Sequence, residues 1–346
     1  MRWVPVSPHR CPYVDTEGPA PAGPTRAEAE VTPWVSVGKM RFAISIPQDL
    51  TDRAFDPAAF RAHMRRVEEL GFDGAWTQEQ VLGSAGRSSP VEILTYAAAC
   101  TERVRLGCAV FVTTTHSPVH LAKSLSTLDQ LSGGRLEVGV GIGNRGPGMA
   151  AFGVDPEDGL VARFTEGLDV MKALWTEPSV TLDGRFWQLT DATMEPKPYQ
   201  RPHPPLWFGA RAPAALRRAV RRGDGFFGAG SSTTAQFTEQ VGIVREALAE
   251  DGRDPATFSI AKRVYIAVGD DAAEVRERVA ASLERLYGRG GLEAVAVSGS
   301  ADACAEGLRE VRDAGAELVL LTPLYDDAEQ MERLAAEVVP QLTGKN

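Results

Sequence analysis

Glu79 and Gln80 follow a short apolar run, Gly74 to Thr77, and His116 follows another that begins at Val104. Carboxylate and imidazole are the side chains best suited to moving a proton near neutral pH. Two readings stand for Glu79: an ion pair at the rim of the fold, or a contact to substrate or cofactor. His116 precedes Pro118, so it either donates a proton or anchors the next helix. Gln80 cannot accept a proton at neutral pH, but its amide can orient a substrate. His9, His63, His120 and His203 show no metal-ligand spacing with a carboxylate, so no metal centre is expected. The GxSxG elbow of common hydrolases is missing.

Glycines mark a second kind of chemistry. Gly141 to Gly146 reads GIGNRG, a formal match to GxGxxG. A dinucleotide fold needs a helix to open at once after that motif, whereas Pro147-Gly148 follow here. The segment is read instead as a strand-end loop containing Ile142, Gly143 and Asn144, where missing side chains admit a flat ring or a phosphate. Gly209-Ala210-Arg211-Ala212-Pro213 opens a helix whose free amides suit an anion, and Arg211 adds a guanidinium. The same residues also describe an ordinary helix start with an exposed arginine. Arg217, Arg218, Arg221 and Arg222 read as a solvated helix face.

The elements that must position these residues alternate along the chain. Apolar runs at 41–46, 74–77, 104–112, 135–141, 206–209, 225–228, 260–268 and 318–322 read as strands. Helical periodicity separates them: Asp56-Pro57 caps a helix presenting Phe60, Met64 and Val67, and further helices are expected at 90–101, 118–131 and near 164–175. One more, at about 329–342, ends the chain. An insertion at 177–204 carries Asp183-Gly184 between two short runs, 180–182 and 186–189, a hairpin signal. Eight strands in regular alternation with helices predict an α/β fold, a (β/α)8 TIM barrel with an insertion after the fourth strand. Chemistry then belongs at the carboxyl ends of the strands. Those ends include Gln48, Glu79-Gln80, Thr113 to His116, Gly141 to Asn144, Gly209 to Arg211, and Gly228 to Ser232 with Gly230 and Ser231. Such a face, rich in glycine, amides and hydroxyls, suits a planar hydrogen-bonding cofactor with a phosphate.

The 346 residues carry a net charge of -9, which argues against a nucleic-acid partner. The four cysteines lack CxxC spacing and read as reduced cytoplasmic thiols. No apolar stretch is long enough for a membrane span, and no secretory signal is evident. Residues 1–39 hold seven of the 23 prolines and no periodicity, so they are expected to form a flexible leader ahead of one domain at 40–346.

Several segments together resemble the bacterial luciferase-like oxidoreductase family. They are Thr127-Leu-Asp-Gln-Leu-Ser-Gly-Gly-Arg135 running into Val138 to Gly143, Glu69 to Trp76, Thr101 to Gly107, Pro205 to Gly209, and Gly223 to Phe226. The resemblance implies a barrel binding coenzyme F420 or, alternatively, FMN. It places the ring on a bulge of the third strand, at Ala109-Val110 with Val112 beyond, often with a non-proline cis peptide. It places the phosphate near Gly209 to Ala212 and Gly230-Ser231, with Gln48, Ile142 and Gly143 also lining the cofactor. Many deazaflavin-dependent relatives carry Asp-His where this chain has Glu79-Gln80. Asn144 stands where the family's sugar-phosphate dehydrogenases place a glutamate. The expectation is therefore a homodimeric enzyme that uses reduced F420 to transfer hydride to a C=C or C=N bond of a small molecule. The alternative is an FMN-dependent monooxygenase, and a third reading is a non-catalytic relative.

Overall fold

The computed structural model describes residues 40–344 except 51–53, 84 and 145, with only the backbone of Pro147. The expected leader at 1–39 lies outside the described residues.

The chain runs β1 (Arg41–Ser45), α1 (Pro57–Glu69), β2 (Gly74–Thr77), α2 (Pro90–Cys100), β3 (Arg105–Val112), α3 (Pro118–Leu131), β4 (Leu136–Gly141) and α4 (Leu160–Thr176). After the hairpin β5 (Val180–Asp183) and β6 (Gln188–Ala192) come β7 (Leu206–Gly209), α5 (Pro213–Arg222), β8 (Gly225–Gly228), α6 (Thr234–Glu250) and β9 (Ser259–Val268). The chain ends with α7 (Ala272–Tyr287), β10 (Ala296–Gly299), α8 (Ala301–Asp313), β11 (Leu318–Pro323), α9 (Asp327–Arg333) and α10 (Pro340–Thr343). Parallel pairing runs β9-β11-β1-β2-β3-β4-β7-β8, and β8 pairs back onto β9. The eight strands close into the expected barrel.

Local chemistry explains the elements. Asp56 accepts from the Ala58 and Ala59 amides at 2.8 and 3.1 Å, and Pro57 presets the first turn of α1. Phe60, Met64 and Val67 bury one face of that helix, each contributing roughly 1.5–3 kcal/mol. Met64→Asp would put a charge into that contact and undock the helix.

Most of the core lies between the strands and the helical shell. A second cluster fills the lumen: Ala43, Trp76, Trp207, Phe227, Ala261, Leu318 and Leu320. Trp76 stands 4.9 Å from Phe227 and 6.1 Å from Trp207, centroid to centroid. Beneath this aromatic plug Glu137 bonds Arg105 Nε at 2.7 Å and Trp207 Nε1 at 2.6 Å. The candidate residues lie on the carboxyl-end side of this plug, as expected for the fold.

Three local expectations need correction. β10 was not anticipated; it pairs Ala296–Gly299 with Tyr265–Val268, because short β8 leaves that edge of ten-residue β9 free. The second hairpin strand begins at Gln188 rather than 186. Glu166 of α4 accepts the amides of Arg185, Phe186 and Trp187 at 2.8–3.1 Å, which draws those residues into the turn. The last helix is not continuous. Pro340 has no N–H and crowds the turn before it, so the ladder slips at Leu334–Val338, where Val339 N reaches Leu334 O at 2.9 Å.

Candidate active site

The site gathers where β2, β3, β4, β7 and β8 end, beside the middle of β9. β3 changes register between Cys108 and Phe111 against β4, and the Ala109-Val110 peptide is cis. Bulge and cis bond fall where the family resemblance put them. Glycines on the neighbouring strands make room: a Cβ at Gly141 would lie 2.6 Å from Val110 Cγ2, and one at Gly209 would lie 2.9 Å from Val110 Cγ1.

Glu79 is nearly sealed, its side chain 3% exposed. Its Oε2 accepts the Val112 amide at 2.6 Å, and its Oε1 meets His116 Nε2 at 2.8 Å. The carboxylate thus clamps the end of β3 and orients the imidazole, which is the more open partner at 28%. Thr114 Oγ1 donates to Ile142 O at 2.8 Å and ties this corner to the β4 loop. Burial, with Glu79 nearby, pushes the Cys108 thiol well above its usual range, so it is no nucleophile.

Gln48 is spent within the protein. Its Oε1 accepts from Thr77 Oγ1 and from Gln78 N at 2.8 Å, and its Nε2 donates to Gln78 O at 2.7 Å. It shapes the corner between β1 and β2. Gln80 folds over Gly83 in the next loop. Gly143, with φ of +79°, and Asn144 are exposed beyond β4.

Across the mouth, Arg211 donates to Ser231 Oγ at 2.8 Å and to Ser231 O at 3.2 Å. The two segments expected to hold phosphate are therefore joined. Ala210 and Ala212 flank Arg211, and Gly230 packs against Tyr265. Beneath this loop Lys262 Nζ donates to Ala229 O at 2.6 Å and Ser232 O at 2.9 Å. Burial first, then Arg263 and Arg211, hold that amine down to about 7. Arg263 reaches inward to Gln78 Oε1 and to Ala109 O, the latter at 3.1 Å. Tyr265 and Tyr287 share a hydroxyl contact of 2.8 Å beside them.

Sequence reading missed Lys262 and Arg263. Their signal was two adjacent cations inside the apolar run at 260–268. Opposite faces of a strand send them to different places, Arg263 into the lumen and Lys262 under the β8 loop.

The residues fit a planar, phosphate-bearing ligand. Arg263 Nε, Thr113 Oγ1 and Thr322 Oγ1 are buried without hydrogen-bond partners, all on barrel strands or strand ends. Arg211, Ser231 and the opening of α5 supply anion donors. Among the described residues no cluster could hold a metal ion, and no helix is long and apolar enough to cross a membrane. Cys100, Cys108 and Cys304 are free thiols.

Comparison with known proteins agrees with this architecture. Residues 40–290 match the sequence profile of the family described as luciferase-like monooxygenase. The F420-dependent glucose-6-phosphate dehydrogenase of Beutenbergia cavernae is 30% identical over 324 residues, 84% of this chain and 95% of that protein. A phthiodiolone/phenolphthiodiolone dimycocerosates ketoreductase of Mycobacterium sp. strain JLS is 32% identical over 188 residues. That match spans 54% of this chain and only about half, 49%, of the ketoreductase. The crystal structure of monooxygenase RslO1 from Streptomyces bottropensis superposes with a TM-score of 0.72 at 26% identity, covering 87% of this chain and 99% of that one.

Proposed function

Because the chain belongs to the luciferase-like monooxygenase family, we propose that it is an oxidoreductase using reduced coenzyme F420 to reduce a C=C or C=N bond of a small organic molecule. The coenzyme supplies the hydride; the protein binds, orients and handles the proton. The observation that carries this reading is the Glu79–His116 pair beside the bulge, 2.8 Å apart.

With Nε2 taken by Glu79, His116 offers the proton on Nδ1 to the substrate atom next to the carbon receiving hydride. One hydride and one proton together saturate the double bond. Glu79 cannot turn away, because its second oxygen is held by the Val112 amide. It fixes the orientation of the imidazole, and solvent at the more open ring restores the proton. Arg211, Ser231, Gly230 and the Gly209–Ala212 segment take the phosphate. Ala109-Val110 and Val112 back the ring, Ile142-Gly143 border it, and Gln48 acts through the corner it holds. Gln80 and Asn144 orient the substrate. A cytoplasmic homodimer completes the reading. The likeness to an F420-dependent dehydrogenase over nearly its whole length supports the coenzyme.

The test is anaerobic turnover with reduced F420 and a panel of enoate and imine substrates. It is paired with Arg211→Glu, which should weaken coenzyme binding at least about tenfold, a loss of about 1.4 kcal/mol. Failure of every unsaturated substrate, or unchanged affinity in Arg211→Glu, removes the reading. The likeness to a monooxygenase at 26% identity favours a second reading, FMN-dependent oxygen insertion. Label from molecular oxygen in the product would establish it, and anaerobic turnover would exclude it.

A further inference from the structure

Arg263 is a buried cation served only by neutral oxygens. It lies on β9 in the lumen, 7% exposed, one inward position above Ala261 of the plug. Its guanidinium bonds Gln78 Oε1, Thr77 O at 3.5 Å and Ala109 O at 3.1 Å, while Nε has no acceptor. Among the described residues no carboxylate forms an ion pair with it. Glu79, the acid on the β3 side, is already committed to His116 and the Val112 amide. On the other side stands another cation, Arg87, with Asp49 facing it, and Arg211 lies beyond. A buried charge without a directly paired counter-ion is costly, so a negative charge placed beside Arg263 would be stabilised.

The bond to Ala109 O says where that charge belongs. Ala109 forms the bulge that backs the cofactor ring in the reading above, on which this inference rests. Flavins and deazaflavins share a pyrimidine edge whose N1, in the reduced ring, loses a proton near neutral pH and spreads negative charge onto C2=O. We propose that Arg263 holds the reduced ring as this N1–C2=O anion, by fixing a positive charge at the bulge carbonyl against which the ring rests. Its three neutral acceptors keep the guanidinium in place without cancelling it, so the field acts on the ring. A substrate carboxylate is the rival occupant, but Arg263 is tied to the bulge itself rather than to the open side of the mouth.

The experiment is an anaerobic absorbance titration against pH of bound reduced F420 and, separately, bound reduced FMN. It uses the wild-type protein, Arg263→Met and Arg263→Lys. In the wild type the bound ring stays anionic to about one pH unit or more below the free cofactor, a tenfold preference. Arg263→Met loses that preference and Arg263→Lys keeps most of it. An Arg263→Met protein that binds cofactor with unchanged ionisation overturns the proposal, and so does a variant that raises only the substrate KM. If Arg263→Met does not fold, the wild type still decides: ionisation at or above the free value refutes it. Wild-type protein that binds neither cofactor overturns the functional reading together with this inference.

Discussion

Gly141→Ala tests whether the mouth depends on a side-chain-free β4. The new methyl would sit 2.6 Å from Val110 Cγ2, about 0.8 Å inside the 3.4 Å where ordinary contact begins. Val110 has little room to yield. The residue before it is held through Ala109 O by Arg263, and the chain two residues on is held through the Val112 amide by Glu79. Overpacking of this kind costs roughly 1–3 kcal/mol. Losing a glycine from the unfolded chain returns about 0.4–1 kcal/mol, since Gly141 has no positive φ that alanine would resist. The net expectation is a destabilisation of about 1–2 kcal/mol, or roughly 2–5 °C in Tm. Cofactor affinity should fall further, because the bulge moves where the ring would rest. Val110→Ala removes the colliding methyl, so the double variant should recover most of the loss, a coupling of about 1 kcal/mol. Thermal unfolding and cofactor titration on the four proteins read both effects. Equal stability and affinity in Gly141→Ala, or strict additivity with Val110→Ala, would refute the reasoning.

Other predictions concern the proton, the barrel floor and acid stability. His116→Ala should lower kcat by about 10²–10⁴ in a reaction needing proton delivery, with cofactor affinity unchanged. Glu79→Gln should lower kcat by misorienting the imidazole while leaving cofactor affinity unchanged; wild-type turnover would remove the dyad. Glu137→Ala strips the carboxylate from Arg105 and the acceptor from Trp207, and should cost about 3–5 kcal/mol by urea unfolding. Glu68 accepts the amides of Glu102, Arg103 and Val104 at 2.5–2.9 Å. Burial pushes its carboxyl up, but these three donors outweigh it and hold it below 4.5. The folded state therefore favours the ionised form. That stability is full above pH 4.5 and disappears as pH falls through the lowered value. The Tm gap between wild type and Glu68→Gln should shrink in acid, and a gap independent of pH would contradict the assignment.

Much of the barrel was legible because each strand is a short apolar run followed by glycines, amides or hydroxyls, with capped helices between. Asp56-Pro57 and the periodicity of Phe60, Met64 and Val67 specify α1 locally. What escaped depends on contacts distant in sequence. β10 exists because β8 is short, the hairpin strand starts late because Glu166 collects three amides, and the final helix breaks where its ladder meets Pro340. At the site, Glu79 and His116 were visible as residue types, but their mutual bond was not, since 37 positions separate them. Gln48 read as a ligand contact, yet its amide is engaged at both ends within the protein. Arg263 was hidden inside a run that reads as core, and only the alternation of a closed barrel turns it toward the mouth.

The most direct measurement is an absorbance titration of the purified protein with oxidised F420 and, in parallel, with FMN, repeated on Arg211→Glu. A saturable shift of the F420 band, tighter than any FMN shift and weakened at least about tenfold in the variant, is the predicted result. Spectra unchanged by either cofactor, or an F420 shift indifferent to the loss of Arg211, would contradict the account.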